Sequence, residues 1–272
     1  MQVWIDPISR YLHHSTGQHG PAMLMYHSVA PGKSTPDWRW AISMQRFQNH
    51  LDFLAAEGWA TLTMSELIHS PEKLTGRTVA ITFDDGYADN LAAWEELQKR
   101  NMRATLFMVS GAIARTPTWP SDGRPAGDLL GPNELRAMHA SGMEIGSHTV
   151  NHTRLTEASD IQLHNELADS RMALADTLGT GISSLAYPYG LYDTRCINAA
   201  REAGYHGACT TRSGWALRDG DPHQLRRLTV FNTDTTSRLA RKLYFGSNDV
   251  SWLTVSRHTL QRAAIRMGRR TT

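Results

Sequence analysis

Val79-Ala80-Ile81-Thr82-Phe83-Asp84-Asp85-Gly86-Tyr87 is the stretch that decides the fold. An apolar run of strand length ends in two adjacent carboxylates, and a glycine follows to turn the chain away. The run reads as a buried strand, and in parallel α/β architectures the carboxyl ends of such strands are where active sites are built. Two carboxylates at the mouth of a buried strand are costly unless something pairs them. A metal ion is the partner this pattern points to. Further along, Ser147-His148-Thr149-Val150-Asn151-His152 supplies two imidazoles four positions apart. With that segment starting a helix, both rings fall on one face and reach one ion at about 2.0 to 2.1 Å. Three ligands from two segments leave a coordination position open, as in a catalytic rather than a structural site. His-x3-His alone is a weak signal, and its conjunction with Asp-Asp at a strand end is a much stronger one.

Outward from this stretch, strand and helix alternate. Residues 21–29 form an apolar run that brings His27 to the carboxyl end of a first strand. Ser43 followed by Phe47, Leu51 and Leu54, with Gly58 as the stop, marks an amphipathic helix. Short strands are expected at 60–63, 104–109, 143–147, 183–186, 205–210 and 228–231, and helices at 64–69, 90–100, 133–141, 156–178 and 193–203. This order argues for a parallel sheet closed into an irregular barrel. The Gly-, Pro- and Trp-rich segment 111–131 is an insertion at the catalytic end, where long insertions form substrate walls. Trp38 and Trp40 read equally as a sugar-stacking wall or as packing over the rim.

The 272 residues are 40% hydrophobic and 20% charged, the composition of an ordinary globular domain. The net charge of +2 divides unevenly, with +7 from Arg238 onward and about −5 before it. Three parts are expected: an N-terminal arm over 1–20, a catalytic domain over 21–237, and a basic tail over 238–272. His13, His14 and His19 in the arm read as solvated rather than ligating. Apolar residues interleaved with arginines in the tail fit either peripheral contact with an anionic membrane or a solvated face. Met1 to Gly20 lacks the apolar core of a secretory signal, and no run is long enough to cross a bilayer. The expected location is the cytoplasm, at the inner membrane face if the tail binds lipid. Two cysteines, Cys196 and Cys209, make no disulfide framework.

Thr82-Phe83-Asp84-Asp85-Gly86 and Ser147-His148-Thr149-Val150-Asn151-His152 resemble the first two motifs of the polysaccharide deacetylases, the NodB-homology or carbohydrate esterase family 4 enzymes. The resemblance extends from about Ala22 to Asp234. It implies a distorted (β/α) barrel and hydrolysis of N-acetyl groups on an N-acetylated glycan or glycolipid, with no nucleic-acid partner. It implies a divalent ion on Asp85, His148 and His152, zinc first and cobalt or nickel as alternatives, with Asp84 as base. Pro188-Tyr189-Gly190 matches the third motif, so the Tyr189 N–H is expected in the oxyanion hole, but Ala186 stands where an arginine is usual. Ser213-Gly214-Trp215 keeps the tryptophan of the fourth motif without its aspartate. The fifth, Leu-x-x-His, is missing near the end of the domain, where Leu225-Arg226-Arg227-Leu228 stands, and is found instead as Leu24-Met25-Tyr26-His27. That placement resembles the circularly permuted subgroup that includes poly-N-acetylglucosamine deacetylases, and it makes His27 the general acid. Tyr87, Pro188, Trp215 and Leu24 are the substrate-lining residues the resemblance implies.

Two other readings remain open. One keeps the metal and hydrolyses another non-peptide amide; the other is a glycan-binding pseudoenzyme, favoured by the lost arginine and aspartate. A haloacid-dehalogenase-type phosphatase would need an Asp where Gly86 stands.

Overall fold

A computed structural model describes residues 4–14, 20–70, 74, 76–120 and 123–257. His19 and the basic residues beyond Arg257 lie outside the described residues. The elements run α1 Pro7–His14, β1 Ala22–Tyr26, β2 Ser28–Ala30, β3 Ala41–Ser43, α2 Met44–Ala56, β4 Ala60–Leu62, α3 Met64–His69, β5 Thr78–Phe83, α4 Asn90–Gln98 and β6 Thr105–Met108. They continue as α5 Pro132–Ala140, β7 Glu144–Ser147, α6 Asp160–Leu178, β8 Ser184–Ala186, α7 Thr194–Glu202, β9 Gly207–Cys209, β10 Leu228–Thr229 and α8 Thr236–Phe245.

The main sheet follows the order β10-β1-β5-β6-β7-β8-β9, with β4 set against the first half of β5, and its named ladders are parallel. An isolated bridge between Cys209 and Leu225 brings β9 back toward β10, so the sheet curls into a distorted barrel. β1 therefore lies between β5 and β10, the spatial neighbourhood that a permuted barrel requires.

Strand alternation sorts the side chains. Leu24, Tyr26, Val79, Ile81, Phe83, Leu106, Ile145, Leu185 and Ala208 pack outward into the core shared with the helices. Met23, Ala80, Phe107, Ala186, Cys209 and Leu225 form a separate cluster. Gly146 on β7 shows how tight the inner packing is, because a Cβ there would fall 2.5 Å from Ser184 Oγ and 2.6 Å from Phe107. α2 starts where expected, its Ser43 side chain accepting from the Arg46 N–H. α3 carries a full capping box between Thr63 and Glu66.

The two ends of the chain differ from expectation. Pro7–His14, inside the segment read as an unspecified arm, is a helix. Asp6 accepts from the N–H and hydroxyl of Ser9, and Leu12 packs with Tyr244 and Val255. His13 is buried against Phe53 and Trp59 rather than solvated. α8 crosses the boundary placed before Arg238 and buries Leu239, Ala240 and Leu243 on the core. Three of the tail's cations have internal partners: Arg238 and Lys242 meet Asp234, and Arg241 meets Asp6. Counting charge along the chain could not reveal pairs closed by residues outside the counted segment. No helix among the described residues is long and apolar enough to cross a membrane.

Candidate active site

Asp84 and Asp85 leave the carboxyl end of β5, and both line one cavity of about 220 Å³. In a regular strand, neighbours point to opposite faces. Here Asp84 still follows the sheet, its N–H donating to the Tyr26 carbonyl of β1. Asp85 then takes φ 74° and Gly86 φ 88°, which breaks the alternation. Gly86 must be glycine for a second reason, since a Cβ would sit 2.2 Å from Met108 Sδ.

His148 follows β7 directly, its N–H donating to the Met108 carbonyl of β6. The helical turn that would have put both rings on one face is absent between His148 and His152. Thr149 and His152 adopt φ 66° and 58°, and it is this left-handed kinking, not helical spacing, that brings the rings together. Ser110 and Gly111 donate backbone hydrogen bonds to Thr149 and Val150 from one side. From the other, the Glu166 carboxylate of α6 accepts from Val150 N–H and Asn151 N–H at 2.9 Å, and from Asn151 Nδ2 and Thr153 Oγ1 at 2.8 Å. Glu166 escaped the sequence reading, although its place among the buried Leu163, Leu167, Ser170 and Leu174 of α6 was a usable sign. An acid on the inward stripe of a helix needs partners. Glu166→Gln replaces two acceptor pairs with a group that must also donate, so metal affinity is expected to fall about 10- to 100-fold. Chelator competition measures this, and unchanged affinity would show that the loop holds itself.

The Asp85, His148 and His152 donor atoms lie within 4.8 Å of one another, and all three residues are buried. Both Nε2 atoms face Asp85 Oδ1, at 3.5 Å from His148 and 3.4 Å from His152. Donors about 2.1 Å from a tetrahedral ion stand about 3.4 Å apart, so the two pairs at Asp85 have the spacing of ligands to one small divalent cation. Asp85 Oδ1 is buried without a hydrogen-bond partner. His148 Nδ1 meets the Ala186 carbonyl at 2.8 Å, which leaves Nε2 for a ligand. Burial, then the Asp84 charge, pushes the Asp85 carboxyl up to about 7. Burial, then His148, takes the His152 imidazole down to about 2, and burial also lowers His148. Neutral imidazoles beside a carboxylate in need of positive charge are the donor set a divalent cation takes.

Asp84 has its own counter-charge. Arg227, fully buried, grips both carboxylate oxygens, Nη1 to Oδ1 at 2.6 Å and Nη2 to Oδ2 at 2.8 Å, while its Nε donates to the Thr210 carbonyl. Burial alone would raise Asp84; Arg227, then His148, more than offsets it and holds the carboxyl at about 2. This is the residue the sequence reading lacked. It does not stand before Pro-Tyr-Gly, where Ala186 lies inside the barrel, but just before β10. Alternation in Leu225-Arg226-Arg227-Leu228 was the available signal: Arg226 turns out to Asp219, so Arg227 must turn in.

Of the remaining expected residues, His27 and Tyr189 line the cavity with Trp38, Trp40 and Trp119. His27 stands against Trp38 and Trp40, its Nδ1 buried without a partner. Burial lowers its pKa to about 4 against the opposing charge of Asp84. Trp119, from the insertion, stacks on His152 at 4.7 Å. Tyr189 has φ 58°, its ring 4.5 Å from His152, and its N–H finds no acceptor among the described residues. Tyr87 is buried beside Asp85 and edge-on to Trp38. Pro188 lies under this rim and does not line the cavity. Four substrate-lining expectations are corrected, since Tyr87, Pro188, Leu24 and Trp215 are all absent from the cavity wall. Leu24 is one residue out of phase with Met25 and His27, so it faces the helix-side core. Trp215 packs where a Cβ on Gly246 would come within 2.6 Å of its ring, and it is not part of the cavity wall.

The parallel barrel thus carries, at its carboxyl end, an Asp-His-His cluster that could hold a metal ion and a second, arginine-paired carboxylate. Residues 72–208 match the family model described as polysaccharide deacetylase. YxkH of Bacillus subtilis (strain 168), named as a member of that family, is 31% identical over 212 residues, 76% of this chain and 70% of that protein. The poly-beta-1,6-N-acetyl-D-glucosamine N-deacetylase of Staphylococcus epidermidis is 26% identical over 71% of this chain and 69% of its own length. The solved structure of IcaB from Ammonifex degensii superposes with a TM-score of 0.71 at 26% identity, covering 83% of this chain and 97% of that one. The chain belongs to the polysaccharide deacetylase family, hydrolases acting on carbon–nitrogen bonds.

Proposed function

We propose that this chain removes the acetyl group from an N-acetylhexosamine unit of a glycan or glycoconjugate, releasing acetate and a free amine. In this reading Asp85, His148 and His152 hold the divalent ion, zinc first and cobalt or nickel as alternatives. The observation that carries it is the conjunction, in one aromatic-walled cavity, of the three-donor cluster and a carboxylate kept ionised by Arg227. An ion held there supplies Lewis acidity, making nearby water acidic enough to ionise near neutral pH and drawing charge from a carbonyl oxygen.

Asp84 takes the proton of the attacking water. Held at about 2, it is ionised at every working pH but is a weak base, so the rate depends on how acidic that water has become. The unengaged Tyr189 N–H donates to the oxygen on which charge develops. The departing amine needs a proton, and the one Asp84 has collected balances the reaction. His27 shares the cavity and is placed to pass it on. With its pKa near 4 the imidazole is neutral at rest, so it must receive a proton before giving one. The aromatic walls suit a sugar ring better than a small amide. The case for a non-catalytic glycan binder rested on the missing motif arginine and aspartate, and Arg227 answers the first by supplying that charge from just before β10.

The test is acetate release from N-acetylated chitooligosaccharides by metal-loaded protein. Release is expected, with loss in excess chelator and recovery on adding zinc. No acetate from any N-acetylated glycan, or release indifferent to chelator, would defeat the reading.

A further inference from the structure

We infer that the cavity receives an N-acetylated sugar carrying an anionic group, phosphate or carboxylate, on itself or on the adjoining unit, and that Arg39 and Arg154 bind that group. The inference rests on the deacetylase reading above and adds a substrate class to it.

Three aromatic residues of the cavity lining, Trp40, Trp119 and Tyr189, each have a guanidinium against their ring. Arg39 lies 5.0 Å from the Trp40 ring centre and 4.6 Å from that of Phe231, Arg154 lies 4.4 Å from Tyr189, and Arg124 lies 5.7 Å from Trp119. Arg124 is already engaged, donating to the carbonyls of Trp119 and Pro117. Arg39 and Arg154 are different. Both side chains are exposed, and neither guanidinium makes an ion pair or hydrogen bond among the described residues, although the Arg39 and Arg154 carbonyls accept from the Asn232 and Glu157 N–H groups. The carboxylates nearest in sequence, Asp37 and Glu157, are not paired with them.

Deeper in the cavity charge is matched, since Asp84 has Arg227 and Asp85 belongs to the donor cluster. The two rim cations are the unmatched ones. Stacking on an aromatic face restrains a guanidinium and leaves its N–H edge available, so little freedom is lost when that edge meets a planar or tetrahedral oxyanion. A neutral sugar offers these guanidiniums only hydroxyl and amide oxygens, whereas an oxyanion also matches their charge. Positive charge at the mouth of a low-dielectric cavity also draws anions in, an effect that falls with ionic strength.

The experiment compares kcat/KM for tetra-N-acetylchitotetraose with that for two derivatives bearing one phosphate or one carboxylate, using wild type and R39Q/R154Q. A charged derivative is expected to be favoured by roughly tenfold or more at low salt, the scale of one charge-assisted hydrogen bond. That ratio should shrink at high salt and approach one in R39Q/R154Q. Equal turnover of all three by wild type, or a ratio that survives in the double variant, overturns the inference. Should wild type deacetylate none of them, the parent reading fails, and calorimetric affinities of the same three probes decide this one, with equal affinities overturning it.

Discussion

Arg227→Met is expected to lower kcat by at least about 10²-fold and to destabilise the fold by about 3 to 5 kcal/mol, because it leaves the Asp84 carboxylate buried without its counter-charge. The sign of the pH effect follows from the pair. In the wild type, Asp84 is depressed to about 2, so its contribution to stability is complete above the ordinary carboxylate range near 3.9 and is lost as pH falls through 2. Without Arg227, burial dominates and the carboxyl rises, so residual activity should acquire a second dependence on pH, from Asp84, that the wild type lacks. Arg227→Lys should recover part of the rate, restoring the charge but not the two-pronged grip. The pH–rate profile and thermal unfolding together read these outcomes. A methionine variant with wild-type kcat and an unshifted profile would remove Arg227 from the reaction.

Asp84→Asn and His148→Ala are expected to separate chemistry from metal binding. Asparagine at 84 leaves Asp85, His148 and His152 untouched, so bound metal should stay near wild-type stoichiometry while turnover drops about 10²- to 10⁴-fold. Alanine at 148 removes a donor and its hydrogen bond to the Ala186 carbonyl, so both metal and turnover should go. Metal content of the two purified proteins, set beside their rates, is the measurement. Equal metal loss in both would show that Asp84 is itself a ligand and that the division of labour drawn here is mistaken.

The alternating elements were legible because their signals are local. Ser43 opens α2 and Gly179 closes α6 in the left-handed conformation, and each can be read within a few residues. The metal donors were legible because two short motifs carry all three. What sequence order hid was everything closed across the barrel. Arg227 reaches an aspartate 143 positions away, Glu166 grips a loop from a helix that looks merely amphipathic, and α1 is held by Asp6 and Arg241 across nearly the whole chain. The route by which His148 and His152 meet was hidden for a related reason: four-residue spacing suits one helical face, but Glu166 and the Ser110–Gly111 backbone hold that segment in a kinked loop. Leu24 was misplaced by a single step of strand phase, which is enough to turn a side chain from cavity to core.

Because the guanidinium opposite Asp84 arrives with the strand that closes the barrel, the earlier part of the chain can gather every metal donor and still be unarmed. During synthesis that cation is the last of the catalytic groups to emerge, so competence should appear in one step as β10 slots beside β1. A molecule ending before Arg227 would then hold the donor cluster without the counter-charge that keeps Asp84 ionised.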